Sequence, residues 1–443
     1  MEEIRVRFAP SPTGKVHIGN IRAAIYNWLF ARHTGGKFLL RVEDTDLERS
    51  TPEAIQVLFD CMKWLGLDYD EEVFYQTKNA PRHLAVAEQL LASGHAYKVE
   101  RTSRDGKTGV VTMFRMPKEG TIEFDDIVKG RMRKKAEDTQ DFVIVRSDGS
   151  PVFHIANVVD DIKQGVTHII RGDDHVENTF KHIRIFQALG APVPQYAHLP
   201  MIVNAQGKPY SKRDGAAFVG EFKEQGYLPE ALFNFLVLLG WAPGDDREVM
   251  SRDELVEAFS LDRVKSSPAR FDLKKLLWMN GEYVARQPDE VFKAELTERL
   301  AAAGLPATPL ACSLDDLVPP VRIRTKTLSD LPGNCAYFFT DDVAYDPAAV
   351  EKRLHKPGAR ERLLAFADAF AALPDFTVES TEAFVRAEAE KPGPDGKPVG
   401  MGALVHPIRV AVSGRTEGPG LFEMLALLGR DRVVRRLRAA AAL

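Results

Sequence analysis

Cysteine, long apolar runs and an excess of one charge are all scarce in this chain of 443 residues. The three cysteines, Cys61, Cys312 and Cys335, lie far apart, so their spacing predicts neither a disulfide framework nor a zinc site. No apolar run approaches the length that a membrane span requires, and the first residues lack an apolar signal region. We therefore expect a cytoplasmic protein that has no contact with a membrane.

The charge balance excludes a broad basic surface. A formal net charge of −4 and a pI of about 6.3 give no global field that would attract nucleic acid. Two local basic runs remain, residues 129–135 and residues 430–438, and on charge alone we interpret both as solvated faces. The length predicts roughly two to four domains, and the composition is typical of a soluble globular protein.

The first turn of the chain also lacks the glycine patterns of dinucleotide folds and P-loops. Alternation at residues 4–8 predicts a strand, followed by a Pro/Gly turn, a helix that stops at Gly35, and a second strand over residues 38–42. Such a βαβ unit has parallel strands joined by a right-handed crossover. Ser11 and Glu43 follow the two strands, so we expect both at the sheet edge where α/β folds bind ligands.

Two short segments carry side chains suited to phosphate. His17 and Gly19 stand where the first helix begins, and the exposed N–H groups and dipole of a helix N-terminus favour anions. The alternative for a lone histidine there is a helix cap or a surface residue. Residues 207–215 form a polar, glycine-flanked loop after a predicted strand over residues 198–203. Its alternative interpretation is an ordinary surface loop.

Longer strings around these segments resemble a known family. Residues 5–20 (Arg-Val-Arg-Phe-Ala-Pro-Ser-Pro-Thr-Gly-Lys-Val-His-Ile-Gly-Asn) closely resemble the "HIGH" region of class I aminoacyl-tRNA synthetases, in the form found in glutamyl-tRNA synthetases. The block Arg-Val-Glu-Asp-Thr-Asp at residues 41–46 is specific to the glutamate/glutamine branch. Residues 207–215 resemble the "KMSKS" loop, although Pro209 replaces its first lysine and Tyr210 takes its apolar second position. Lys208 is a candidate for the missing charge.

The resemblance implies ATP-dependent ligation of L-glutamate to the 3′ end of tRNA(Glu) through a glutamyl-adenylate. It implies ATP as substrate, Mg²⁺ travelling with ATP, tRNA(Glu) and L-glutamate as partners, and a monomer. It does not imply zinc here, because the cysteines that many bacterial relatives carry after the match to Ala96 and Tyr97 are missing. Three alternatives remain: a truncated relative that glutamylates a modified tRNA base, a small-molecule adenylyltransferase, and a non-catalytic paralogue that binds tRNA or glutamate.

The resemblance also implies roles for individual residues. The catalytic set is His17, Gly19, Ser211, Lys212 and Arg213. The ATP-binding set is Gly14, His17, Gly19, Asn20, Asp174, His175, Met201, Ile202 and Lys212. The glutamate-binding set is Arg7, Ala9, Ser11, Glu43, Phe153, Asn157 and Arg171, and no residue is assigned to a metal.

The chemistry of glutamate fits the last set. Two carboxylates and one ammonium need two cations and one anion, since an unpaired buried charge is costly. Arg7 and Arg171 offer bidentate guanidiniums, and Glu43 offers the carboxylate. The alternative for Arg171 and Glu43 is a structural salt bridge, even with each other. Phe153 stands where the family usually has a tyrosine, which removes one hydroxyl donor.

The predicted fold is α/β: a class I synthetase Rossmann-like parallel sheet with a small α+β insertion, a stem-contact region and an all-helical C-terminal anticodon-binding domain. The predicted boundaries are 1–82 with 151–215 for the catalytic domain, 83–150 for the acceptor-end insertion, 216–290 for the stem-contact domain and 291–443 for the helical domain.

Overall fold

The computed structural model describes residues 3–12, 14–46, 50–102, 106, 108–393 and 396–443. Thr13 of the first motif lies outside the described residues. The chain divides into two compact units, Met1–Lys223 with Pro229–Leu276, and Glu224–Leu228 with Leu277–Leu443. The finer division into four segments stays a prediction.

The first unit alternates strands and helices along the chain. Its elements are β1 (Arg5–Phe8), α1 (Ile18–Thr34), β2 (Lys37–Val42), α2 (Pro52–Trp64), β3 (Phe74–Tyr75), α3 (Ala80–Ala92), β4 (Ala96–Thr102), β5 (Thr108–Phe114), β6 (Thr121–Asp126), β7 (Gly130–Lys135), β8 (Phe142–Val145), α4 (Phe153–Lys163), β9 (His168–Gly172), α5 (Val176–Ala188), β10 (Gln195–Leu199), β11 (Ile202–Val203), α6 (Val219–Glu224), α7 (Pro229–Leu238), α8 (Arg252–Ala258), β12 (Ala269–Arg270) and the start of α9 (Leu273–Ala285).

Parallel strands form the centre of this unit. β1, β2 and β3 make one parallel sheet, and β9 and β10 pair in parallel in a second. The two are adjacent, because the N–H of Thr167 donates to the carbonyl of Arg5 over 2.9 Å. The predicted βαβ unit is confirmed: α1 joins β1 to β2, begins after His17 and ends at Gly35, whose φ of 66° suits glycine.

Residues 96–145 contribute strands to two sheets. β4, β5 and β8 form an antiparallel sheet of their own, whereas the β6–β7 hairpin extends the sheet of β9 and β10. β6 runs parallel to β10, with Asp126 opposite Tyr196. Within this stretch the sequence predicts only short strands over residues 110–116 and 142–145, which correspond to β5 and β8. β6 and β7 contain only Ile122, Phe124 and Met132 as apolar residues, which is too few for a strand alternation to stand out.

Two local expectations were wrong in detail. The predicted strand over residues 198–203 is interrupted between β10 and β11, because Pro200 has no N–H to continue a ladder. The break leaves Met201 exposed. The string Ser50-Thr51-Pro52-Glu53 predicts a capping box with Ser50 as the cap of α2. The cap is instead Thr51, whose hydroxyl accepts the N–H of Ala54 over 3.2 Å. Cys61 in α2 is buried, which is typical of a structural cysteine.

The second unit is built from helices in its described residues. They are the remainder of α9, α10 (Asp289–Ala302), α11 (Leu314–Arg322), α12 (Leu331–Cys335), α13 (Pro347–Arg353), α14 (Ala359–Ala372), α15 (Val378–Glu390), α16 (Met401–Ser413), α17 (Leu421–Leu428) and α18 (Arg430–Ala440). No helix in the described part of the chain has both the length and the apolarity that a membrane crossing requires.

The basic run on α18 is not wholly a solvated face. Arg436 is buried, and its guanidinium donates to the carbonyls of Val412, Tyr337 and Thr340 over 2.7–2.9 Å. These bonds join α18 to the end of α16 and to residues 337–340. The expectation of a solvated face is therefore wrong at this position, because sequence alone does not show which cation of a run turns inward.

Candidate active site

A cleft of about 710 Å³ opens where β1, β2, β9 and β10 end. Its position agrees with the expected ligand edge of a parallel sheet. The predicted site residues that line it are Arg7, Ala9, Ser11, His17, Gly19, Asn20, Glu43, Phe153, Asn157, Arg171, Asp174, His175, Met201 and Ile202. The predicted site residues that do not line it are Gly14, Ser211, Lys212 and Arg213.

One end of the cleft is a buried network of charges. Nε of Arg7 donates to Oδ1 of Asp161 over 3.0 Å, and Nη1 of Arg41 donates to the same oxygen over 2.6 Å. Oε1 of Glu43 accepts from Arg41 over 3.2 Å and from Nδ2 of Asn157 over 3.0 Å. Burial raises the pKa of Glu43, and the guanidiniums of Arg41 and Arg7 offset part of that shift. The network holds the Glu43 carboxylate in place at the cleft wall.

Arg171 differs from Arg7 and Arg41, which pair with carboxylates, in having only neutral acceptors among the described residues. It donates to Oγ1 of Thr179 over 2.7 Å, to the carbonyl of His175 over 3.3 Å and to Nε2 of His198 over 3.3 Å. Among the residues that the structure describes, no carboxylate forms an ion pair with it. Burial lowers the pKa of Arg171 to about 10. Arg171 therefore has no ion-pair partner among the described residues, and the alternative salt bridge between Arg171 and Glu43 is not formed. The structural salt bridge that was the alternative for Glu43 is present, but with Arg41.

Asn157 leaves a second polar atom for a ligand. Its side chain is 2% exposed and lines the cleft, and Oδ1 has no hydrogen-bond partner among the described residues. Its Nδ2 is already used by Glu43. A buried acceptor without a partner is costly, so this oxygen favours a ligand that brings a donor such as an ammonium.

His17 is both a helix cap and a wall of the cleft. Nδ1 accepts the N–H of Gly19 over 3.1 Å, which caps α1, and the ring packs edge-on against Phe218 with centroids 5.7 Å apart. Burial lowers the pKa of His17, and a hydrogen bond to the backbone of Tyr210 only partly offsets this. The cap that was the alternative interpretation is thus present, together with a neutral ring that faces the cleft.

The polar loop of residues 204–215 is organised by Asp214, which the sequence analysis missed. Its carboxylate accepts the N–H and hydroxyl of Ser211 over 2.9 and 3.0 Å, and Nδ2 of Asn204 over 2.7 Å. Tyr210 is buried against Phe271, with ring centroids 4.4 Å apart. The aromatic ring of Tyr210 therefore fills the apolar second position of the KMSKS-like loop.

The three cations of this loop, Lys208, Lys212 and Arg213, are exposed. None of them lines the cleft in this structure. The structure thus brings the first motif and the strand-end residues together, but it leaves the cations of the second motif outside the cleft.

The remaining wall of the cleft is formed by backbone and tight turns. The guanidinium of Arg22 donates to the carbonyl of Pro200, which fixes the break that exposes Met201. A Cβ on Gly172 would clash with Oδ1 of Asp174, so a larger residue here would require that exposed side chain to move. No group of three or more His, Cys, Asp or Glu side chains in the described ranges is placed to hold a metal ion. The absence of zinc remains a prediction.

Comparison with known proteins gives the family. The family described as "tRNA synthetases class I (E and Q), catalytic domain" matches residues 3–108 and 99–278, and "Anticodon binding domain" matches residues 293–441. A glutamate–tRNA ligase of Francisella philomiragia is 40% identical, over 99% of this chain and 98% of that protein. This chain belongs to the glutamate–tRNA ligase family of class I tRNA synthetases.

Two solved structures of glutamate–tRNA ligases have the same fold. One, from Elizabethkingia meningosepticum in complex with its amino acid, has a TM-score of 0.83 and 28% identity, and the match covers 100% of this chain and 99% of that chain. The other, from Elizabethkingia anophelis, has a TM-score of 0.82 and 27% identity, and it covers both chains fully. The expected fold class is confirmed: a catalytic α/β part with a parallel sheet, and a helical C-terminal part.

The site residues that the sequence predicts are those to which the glutamate–tRNA ligase motifs assign a role. The residues that it misses have no role assigned by these motifs. Arg41 and Asp161 carry much of the buried network, yet neither was singled out. The available signal was weak: an arginine inside a strand that is otherwise apolar, and two adjacent aspartates in a helix with an apolar face. A charge in such a place requires a buried partner.

Proposed function

We propose that the cleft activates L-glutamate with ATP and that the chain then transfers the glutamyl group to the 3′ end of tRNA(Glu). Glutamate–tRNA charging is the reaction of this family, and class I synthetases use ATP as substrate. The single observation that carries the amino-acid assignment is Arg171. It is a buried guanidinium at the cleft wall without an ion pair among the described residues.

The recognition of glutamate follows from the charged side chains that line the cleft. Arg171 pairs with one carboxylate, for which a planar guanidinium is well suited. Arg7 also lines the cleft, although Asp161 already compensates much of its charge. The ammonium binds Glu43 and the free Oδ1 of Asn157. Glutamine offers a neutral amide in place of a carboxylate, which would leave a buried cation unpaired.

The chemical steps need positioning and charge stabilisation rather than a covalent nucleophile. The α-carboxylate of glutamate attacks the α-phosphorus of ATP, and pyrophosphate leaves with the electrons of the broken P–O bond. The terminal ribose hydroxyl of the tRNA then attacks the carbonyl carbon of the adenylate, and AMP leaves. His17, Gly19 and Asn20 at the start of α1 hold phosphate oxygens, with Gly14 in the preceding turn.

The other substrate contacts are proposed on the same basis. The adenine lies along the exposed break at Met201 and Ile202, with Asp174 and His175 beside it. Mg²⁺ arrives with ATP and is held mainly by phosphate oxygens. Ser211, Lys212 and Arg213 act on the departing pyrophosphate once their loop approaches the bound nucleotide. We also propose that the protein is a monomer and works in the cytoplasm.

An aminoacylation assay tests this function. Purified chain is incubated with ATP and Mg²⁺, with L-glutamate or L-glutamine, and with purified tRNA(Glu) or tRNA(Gln). We expect glutamyl-tRNA and stoichiometric pyrophosphate with glutamate and tRNA(Glu), and no product with glutamine. Binding of tRNA without pyrophosphate release would instead identify a non-catalytic paralogue. The tRNA(Gln) reactions also show whether the chain discriminates between the two tRNAs.

A further inference from the structure

A chain of three side chains connects the β6–β7 hairpin to the cleft. Oδ2 of Asp126, the last residue of β6, lies 2.6 Å from Nδ1 of His198 in β10. Nε2 on the other side of that ring lies 3.3 Å from Nε of Arg171 and 3.0 Å from Oγ1 of Thr179. Asp126 and His198 are buried, and neither lines the cleft. Their contacts therefore serve the protein and not a ligand directly.

The carboxylate decides which nitrogen of His198 carries the proton. Burial alone would raise the pKa of Asp126, but hydrogen bonds from His198 and from the N–H of Lys129 outweigh it and hold that pKa below its usual value. The ionised Asp126 therefore accepts a proton from Nδ1. Burial lowers the pKa of His198, so the ring is neutral and Nε2 is an acceptor. An acceptor is what the N–H of Arg171 requires.

Asp126 is itself fixed by the hairpin. Its Oδ1 accepts the backbone N–H groups of Val128 and Lys129 over 3.0 and 2.8 Å, and both oxygens lie 3.2 Å from the N–H of His198. The ring of His198 is stacked on Tyr196 at an interplanar angle of 3°. Asp126 thus holds the ring of His198 at its Nδ1 edge, which sets the position of Nε2 beside Arg171.

We infer that Asp126 and His198 are positioning residues for glutamate recognition: Asp126 fixes the Nδ1–H tautomer of His198, and Nε2 of His198 orients the guanidinium of Arg171 toward the cleft. This inference rests on the proposed role of Arg171. It gives the β6–β7 hairpin a function within the amino-acid site. Without the acceptor, the guanidinium keeps its charge and the bonds of Nη2 to Thr179 and His175, but Nε loses its partner and the guanidinium is less firmly oriented. Glutamate then binds less tightly while the chemistry of ATP is unaffected.

Steady-state kinetics of the full chain with tRNA tests the inference. We expect Asp126→Asn and His198→Leu each to raise KM for glutamate about 10-fold, the effect of one lost hydrogen bond to a charged group. Changes in kcat and in KM for ATP should stay within about 3-fold. His198→Gln places an amide oxygen near the position of Nε2, so it should restore KM for glutamate to within about 3-fold of the wild-type value.

Asp141→Asn is the matched control. Asp141 lies in the same stretch of chain and accepts the N–H of Met116 and the hydroxyl of Tyr97, each over 2.9 Å, but it contacts no residue of the cleft wall. This variant makes the same chemical change and should leave KM for glutamate unaltered. Melting temperatures of all variants are measured alongside. If Asp126→Asn does not fold, the pair His198→Gln and His198→Leu carries the test.

Arg171→Met separates this inference from the function on which it rests. If Arg171→Met leaves KM for glutamate unchanged, the proposed role of Arg171 fails. If Arg171→Met raises KM but Asp126→Asn and His198→Leu do not, only the positioning role fails. Equal effects of His198→Gln and His198→Leu would also overturn the positioning role. A fall in kcat together with a rise in every KM would do the same, because both results indicate a purely structural role.

Discussion

The two sides of the cleft differ in how completely they are built. On the amino-acid side, Arg7, Glu43, Asn157 and Arg171 are all at most 7% exposed, and hydrogen bonds hold each of them. On the side of the polar loop, the cations at residues 208, 212 and 213 are exposed and lie outside the cleft. One side is preorganised for its ligand, whereas the other has an ordered loop whose charges are not yet at the site.

This difference corresponds to two tasks in the reaction, selection of the amino acid and stabilisation of the leaving group. Discrimination between glutamate and glutamine depends on charges that are fixed and dry, because water would satisfy a misplaced amide. Stabilisation of a leaving pyrophosphate is needed only at the transition state. Variants on the amino-acid side should therefore change KM and specificity, and variants in the loop should change kcat.

The largest expected effect is the loss of amino-acid specificity in Arg171→Met. A site that pairs a buried charge rejects the neutral analogue by about 10⁴-fold, and removal of the unpaired guanidinium should abolish most of that ratio. Values of kcat/KM for glutamate and glutamine measure it. Arg7→Met is the comparison, because Arg7 is paired with Asp161. It should mainly reduce the free energy of unfolding, by about 1.5–3 kcal/mol, because a buried hydrogen bond between charged groups is lost while Arg41 still pairs with Asp161. Equal effects of both variants on the ratio would remove the distinction between the two arginines.

The next effect is on turnover in Lys212→Ala. Removal of one charge directed at a transition state typically lowers kcat by about 10²–10³-fold, while KM for glutamate should change by less than about 3-fold. Single-turnover pyrophosphate release measures the chemical step. Lys208→Ala is the paired variant: a loss of kcat of the same order would show that Lys208 supplies the charge that Pro209 cannot. Near wild-type turnover of Lys212→Ala would exclude this lysine from the mechanism.

How much of the structure the sequence predicts depends on whether each feature is determined by residues close together in the chain. The βαβ unit, the end of α1 at Gly35 and the cap at His17 are local consequences of periodicity, glycine and a helix start. Motif strings add the residues at the ends of β1, β2 and β9. The residues at these strand ends meet at one sheet edge because parallel strands end there together.

The remaining site residues depend on long-range pairing, which a single sequence does not show. Asp161 finds Arg7 across 154 positions, and Asp126 finds His198 across 72. β6 itself was not predicted, so nothing in the sequence placed Asp126 near the cleft. The loop cations were recognised by motif, but whether they face the cleft depends on Asp214 and on the burial of Tyr210.

A smaller effect is expected when the loop loses its organising carboxylate. Asp214→Ala removes the acceptor for the N–H and hydroxyl of Ser211, and we expect kcat to fall about 10-fold with little change in either KM. Asp148→Ala is the matched control, since Asp148 accepts the N–H and hydroxyl of Ser150 over 2.8 and 2.6 Å in a turn outside the cleft. Its kcat should equal that of the wild type. A similar loss in both variants would mean that the loop geometry is not what matters.

The smallest expected effect belongs to Phe153→Tyr. Phe153 is half-buried and lines the cleft, so a new hydroxyl meets water or ligand instead of a packed core. KM for glutamate should stay within about 3-fold, and any change in specificity should favour glutamate, because the hydroxyl is a further donor to a carboxylate. Phe186→Tyr is the control: that ring is 1% exposed, and an unpaired hydroxyl there should cost about 1–3 kcal/mol of stability. If Phe153→Tyr destabilises the protein as much as Phe186→Tyr does, the ring at residue 153 packs as core, and the amino-acid side of the cleft ends at Asn157.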